Sequence, residues 1–134
     1  MRDSVSFYRS ETGALRYRLD GEVFKDLGSM LMSDIQNFGP GCLEYLGTLE
    51  DVRAGRLEPE EIEGNAYQLV VTRAGVRVQN MYIDSGGDYT HDEVHAVLIR
   101  YWKWLVPDEA KREQQIEAWE REFGRVHPCR EHLA

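Results

Sequence analysis

The chain has 134 residues, 42% of them hydrophobic and 30% charged, with a formal net charge of −8. That length builds one domain around a single core, and the hydrophobic content is too high for a disordered chain. The negative charge argues against a nucleic-acid partner, because phosphate-backbone binders need clustered Lys and Arg to displace counterions.

Val5 to Leu19 predicts a β-hairpin. VSFY alternates, Ser10-Glu11-Thr12-Gly13 turns, and ALRYRL returns with Leu15, Tyr17 and Leu19 on one face and Arg16 and Arg18 on the other. The spacing then becomes helical: Val23, Leu27, Met30, Leu31, Ile35 and Phe38 recur every three or four residues, until Gly39-Pro40-Gly41 is expected to stop the helix. Leu43, Leu46, Leu49 and Val52 predict a second helix ending near Gly55, followed by an acidic linker over 57–63.

The strongest strand signal is GNAYQLVVTRAGVRVQNMYID, with β-rich runs on each side of Arg73-Ala74-Gly75. Asp84-Ser85-Gly86-Gly87-Asp88 reads as a loop. It lacks the closing glutamate of a calcium site. Helical spacing resumes at Thr90, and a last, highly charged helix covers 107–123, apolar only at Ala110, Ile116, Trp119 and Phe123. The order ββααββαα predicts an α+β fold, a small antiparallel sheet of two hairpins packed on one face by about four helices. Residues 1–123 are expected to form this single domain and 124–134 a polar, frayed C-terminal tail.

No signal-peptide-like segment opens the chain and no apolar run nears the roughly 20 residues that span a bilayer, so a cytoplasmic protein without a membrane partner is expected. Cys42 and Cys129 stand far apart and outside any CxxC spacing, which predicts neither a disulfide framework nor a zinc site.

His91 and His95 have the i, i+4 spacing of a zincin helix, but Asp92 occupies the position where that motif has its catalytic glutamate. A capping box of Thr90 and Glu93, with His91 and His95 at the margin of an apolar face, accounts for the same residues. A metal-assisted hydrolase using His91 and His95 is the alternative. Trp102 belongs to the apolar face, while Trp104 points about 160° away and needs another partner, the terminal helix or a binding protein. No phosphate loop, dinucleotide fingerprint or nucleophile elbow occurs, and neither cysteine has a convincing base. The expectation is therefore no catalytic residue, no cofactor and no metal.

The run Glu63-Gly64-Asn65-Ala66-Tyr67-Gln68-Leu69-Val70-Val71 continues through Val76-Arg77-Val78-Gln79-Asn80 to Tyr101-Trp102-Lys103-Trp104-Leu105. Over 57–105 it resembles small acidic bacterial immunity proteins, the antitoxins of contact-dependent-inhibition and related polymorphic nuclease toxin systems. The resemblance implies a non-enzymatic protein that occludes the cleft of a basic nuclease. Glu44 to Glu63 holds seven acids against Arg53 and Arg56, which localises the charge such a partner would meet. The residues expected to face it are Glu58, Glu60, Glu61, Glu63, Asp84, Asp88 and Asp92, with Tyr82, Tyr89 and Trp104 as aromatic anchors. A small-ligand-binding housekeeping domain is the remaining expectation.

Overall fold

The computed structural model describes residues 3–134, so the first two residues of the expected 1–123 domain lie outside the described region. The fold is α+β, with antiparallel sheets packed against helices. Strands β1 (Ser4–Arg9) and β2 (Leu15–Asp20) pair as the alternation predicts, Val5 opposite Leu19 and Phe7 opposite Tyr17. Phe7 meets Tyr101 edge-on at 4.8 Å, which fixes the hairpin to the helices.

The second hairpin corrects the expectation in two ways. It grows at both edges into a separate four-stranded sheet, in the order β3 (Glu60–Glu63), β4 (Tyr67–Val71), β5 (Val76–Asn80), β6 (Gly86–Tyr89). The two hairpins therefore do not share a sheet. The acidic linker ends in an edge strand, and the expected glycine loop begins another. Each has poor intrinsic β propensity, yet each pairs with an open edge whose backbone groups otherwise lack partners. Glutamates on β3 also discourage pairing with a further chain.

Helix α1 (Lys25–Met30) runs directly into a π-helical turn (Leu31–Ile35). The apolar spacing from Val23 to Phe38 overstated this helix: Val23 and Phe38 are both exposed. Gly28 lets α1 lie flat on β2, since a β-carbon there would stand 2.8 Å from Cδ2 of Tyr17. Gly39-Pro40-Gly41 starts α2 (Gly39–Arg53) instead of stopping α1, because a proline in the first turn surrenders no helical hydrogen bond. Helix α2 packs against α3 (His91–Leu105) and α4 (Glu109–Phe123). Trp102 is fully buried and donates its indole N–H to Gln115 Oε1 at 3.2 Å.

The frayed tail is also corrected. Residues 125–134 fold back over α2, ending in the short helix α5 (Arg130–Leu133), and bury His127, Cys129 and Leu133. His127 Nε2 lies 2.9 Å from the Leu43 carbonyl, while Nδ1 accepts the Cys129 N–H at 3.0 Å. Nδ1 is thereby an acceptor, so the ring is the neutral Nε2–H tautomer. No helix of the described residues is long and apolar enough to cross a membrane.

Candidate partner-binding surface

Strand register decides which acids stand together. Glu61 aligns with Val70, Arg77 and Asp88 across the sheet, and Glu63 with Gln68, Gln79 and Gly86. These two rows form the outer face. The alternate rows, Ile62-Leu69-Val78-Gly87 and Glu60-Val71-Val76-Tyr89, turn toward the helices, and Leu69, Val71, Val76, Val78 and Tyr89 are buried there. Glu61 and Glu63 are exposed on the outer face. Glu60 sits half-exposed at the edge of the inner one, and Glu58 is exposed just before β3.

The ends of β3 and β5 meet at one end of the sheet, where the Met81 N–H donates to the Ala66 carbonyl at 2.8 Å. Between β5 and β6 the chain makes a compact loop. Asn80 Oδ1 accepts the Tyr82 and Ile83 N–H groups at 2.8 and 3.1 Å, and Ser85 Oγ donates to Asp26 at 2.7 Å. This loop displays Tyr82 (77% exposed) and Ile83 (64% exposed), with Met81 partly exposed and Asp84 beside them. Sequence reasoning found Tyr82 but missed Met81 and Ile83. The signal was three consecutive apolar residues placed after the last buried position of β5 and bounded by Asn80 and Asp84.

The other expected contacts separate. Tyr89 is corrected from anchor to core: it is 4% exposed, stacks on Phe24 at 5.9 Å and donates its hydroxyl to the Val23 carbonyl at 2.7 Å. Burial pushes that phenol up to about 12. Trp104 is half-buried, packed against Phe7 and Tyr101 with each ring centre 5.8 Å away, and Arg9 lies over it. Its main partner is thus the N-terminal hairpin. Asp88 lies on the outer face but pairs with Arg77 at 3.3 Å. Asp92 is exposed at the opposite end of the sheet from Tyr82, paired with Arg53 at 2.9 Å. Glu61, Glu63, Tyr82 and Asp84, joined by Met81 and Ile83, remain as a common surface.

The histidines divide as well. Thr90 and Glu93 form the reciprocal capping box, with bonds of 3.1 and 2.9 Å. His91 is buried, its Nε2 2.6 Å from the Thr72 carbonyl. His95 instead lines a cleft of about 500 Å³ between α2, α3 and the C-terminal segment, together with Glu50, Arg53, Asp92, Glu131 and His132. Its ring centre is 5.5 Å from that of His132. Burial, then the neighbouring His132, hold His95 below the usual imidazole range. Cys129 borders the same cleft, but burial pushes its thiol up to about 12, which suits packing rather than nucleophilic attack. Among the described residues no group of three or more His, Cys, Asp or Glu side chains stands ready to hold a metal.

No family model, no curated protein and no solved structure matches the chain.

Proposed function

We propose that this protein is a non-enzymatic binding module for a basic protein, and in its most concrete form an immunity protein that occludes the active-site cleft of a nuclease toxin. The observation that carries the reading is the Met81–Ile83 loop, an apolar tip held by Asn80 and Ser85 on the same side of the molecule as Glu61, Glu63 and Asp84, which have no ion-pair partner among the described residues. An aromatic side chain carried on a backbone already held in place has only its own two torsions to lose on binding, and acids around it steer a basic partner and exclude wrong ones. Such a surface competes with phosphate for the positive field of a nuclease cleft. The likeness to immunity proteins over 57–105 supplies the nuclease. The hydrolase alternative has less support, since His91 is turned toward Thr72 and away from the cleft that His95 lines.

The test is affinity capture from the source cell, followed by titration calorimetry with the purified partner. A basic protein should bind with an affinity that falls steeply with salt. Tyr82→Ala should weaken it about thirtyfold, the loss of about 2 kcal/mol expected of a central aromatic contact. Replacing Glu58, Glu60, Glu61 and Glu63 by Lys should slow association most. Recovery of no basic protein, or an affinity indifferent to both changes, refutes the reading.

A further inference from the structure

The four-stranded sheet ends in two edge strands, β3 and β6, and strand parity decides which backbone groups each leaves open. In an antiparallel pair, directly opposed residues alternate between exchanging both backbone hydrogen bonds and exchanging none. The Asn80 N–H donates to the Ser85 carbonyl at 2.8 Å, one step beyond the Gln79–Gly86 pair. Val78–Gly87 and Val76–Tyr89 are therefore bonded pairs as well, and the N–H and C=O groups of Gly86 and Asp88 point away from β5. The Gly64 N–H donates to the Tyr67 carbonyl at 2.9 Å, so by the same count Glu61 and Glu63 turn theirs away from β4. Among the described residues no backbone group of another segment takes up these outward groups.

The two edges are not equally open to a further strand. Pro59 precedes β3, and Glu58, Glu60, Glu61 and Glu63 line it, so a second copy laid along it meets like charges. β6 is Gly86-Gly87-Asp88-Tyr89, without Lys, Pro or a bulge to blunt it. Its one charge, Asp88, already stands beside Arg77 at 3.3 Å.

We propose that β6 is a self-association edge: a second copy of this chain adds its own β6 antiparallel about a twofold axis and joins the two sheets into one. Bonding all the outward groups fixes the register, with Gly86 opposite Asp88 of the second copy, Gly87 opposite Gly87 and Asp88 opposite Gly86. Gly87 falls on the axis in a non-bonded pair, where opposed residues approach most closely and a side chain would crowd its twin. Asp88 falls on the outer face over Gly86 of the second copy. A β-carbon at Gly86 would collide with Gln79 Oε1 and stand 2.8 Å from Arg77 Nη2, so those two side chains already lie across the glycine. Each Asp88 carboxylate therefore meets the Arg77 guanidinium of the other copy, and opposite charges face each other on both sides of the axis. The β3 strands stay at the two ends of the joined sheet with their acids displayed, so the proposal does not rest on the basic-partner reading.

One short strand per copy makes a small interface of the weak class, so sedimentation equilibrium of the full-length chain should show monomer and dimer exchanging with a Kd of about 10 µM to 1 mM. Amide exchange followed by NMR should show the Gly86 and Asp88 N–H groups slowing as the protein concentration rises, while those of Glu61 and Glu63 do not change. Asp88→Pro removes an N–H that the β5–β6 ladder does not use and should raise Kd at least about tenfold. Asp88→Ala keeps that N–H and loses only the carboxylate, so its effect should be smaller. Glu61→Pro makes the same change on the other edge and should leave Kd as it is. Circular dichroism checks that the proline variants stay folded, and if Asp88→Pro does not, the concentration dependence of the wild-type amides decides alone. A monomer at every concentration, protection that does not reach Gly86 and Asp88, or a dimer that survives Asp88→Pro and is lost with Glu61→Pro overturns the proposal.

Discussion

On the helical side Asp51 lies between Arg56 and Arg125, at 2.9 and 2.5 Å, while Glu113 and Glu120 both reach Arg130. At the sheet end Glu58, Glu60, Glu61, Glu63 and Asp84 have no ion-pair partner among the described residues. The chain is acidic in both regions and each keeps acids without an ion-pair partner among the described residues, Glu44, Glu117 and Glu122 on the helical side, but the arginine pairs that tie segments together are on the helical side. Composition therefore fixes how much negative charge the molecule carries, and arginine placement fixes where its field emerges. Asp51, Glu113 and Glu120 hold the C-terminal segment in place, whereas the acids of the sheet end are available to a partner.

Breaking the helical side should have the largest effect. His127 is 1% exposed and bridges Leu43 to Cys129 through both ring nitrogens. His127→Ala leaves a cavity and the buried Cys129 N–H without its partner, an expected loss of about 3 kcal/mol. Urea denaturation measures it, and hydrogen exchange should show 125–134 losing protection first. Asp51→Asn comes next. Asp51 is 8% exposed, and removing its charge strands two guanidinium groups. Breaking a fully buried pair costs about 3–5 kcal/mol. Because Arg56 and Arg125 are half-exposed, about 2 kcal/mol is expected here.

These two residues mark where sequence reading runs out. Alternation exposed β1, β2, β4 and β5, and the spacing of Val94, Leu98 and Tyr101 exposed α3, because each pattern is local and repeated. His127, Cys129 and Leu133 are isolated in the sequence, and His127 and Cys129 meet the carbonyls of Leu43 and Leu46, more than eighty residues away. No periodicity records such a contact. Strands β3 and β6 were hidden for a related reason: Glu60–Glu63 and Gly86–Tyr89 take their conformation from neighbours already in the sheet. In the candidate surface, acid positions were legible and their pairing was not, so Asp88 and Asp92 looked equivalent to Glu63 until Arg77 and Arg53 were placed.

Acid should separate the two regions as well. Burial holds the folded-state pKa of His127 below the imidazole value of 6.5. Its contribution to stability is therefore complete above pH 6.5 and is lost as pH falls through the folded value, the unfolded chain taking up the proton first. For Asp51, burial raises the carboxyl, but the hydrogen bonds of Arg125 and Arg56 outweigh that and leave it below 3.8. Its contribution is complete above 3.8 and disappears under more acid conditions. Chemical denaturation at a series of pH values should show a first decline starting near pH 6.5 in the wild type and a smaller one in His127→Ala, where His95 alone still contributes. The gap between wild type and Asp51→Asn should close only at the acid extreme.

Neutralising the sheet end should change stability least. Glu58, Glu60, Glu61 and Glu63 are exposed or half-exposed, and among the described residues no backbone N–H donates to their side chains. Glu61 accepts a side-chain hydrogen bond from Gln68 at 3.2 Å. Replacing all four with Gln removes mutual repulsion along one edge strand and leaves the β3–β4 ladder intact, so the stability should remain within about 0.5 kcal/mol of wild type. Affinity for a basic partner should nevertheless fall, and the salt dependence of association should flatten. A loss as large as that of Asp51→Asn would mean that these carboxylates hold the sheet together in the way Asp51 holds the C-terminal segment. The contrast between paired and displayed acids would then fail, because charge left without a partner in the fold would turn out to be structural after all.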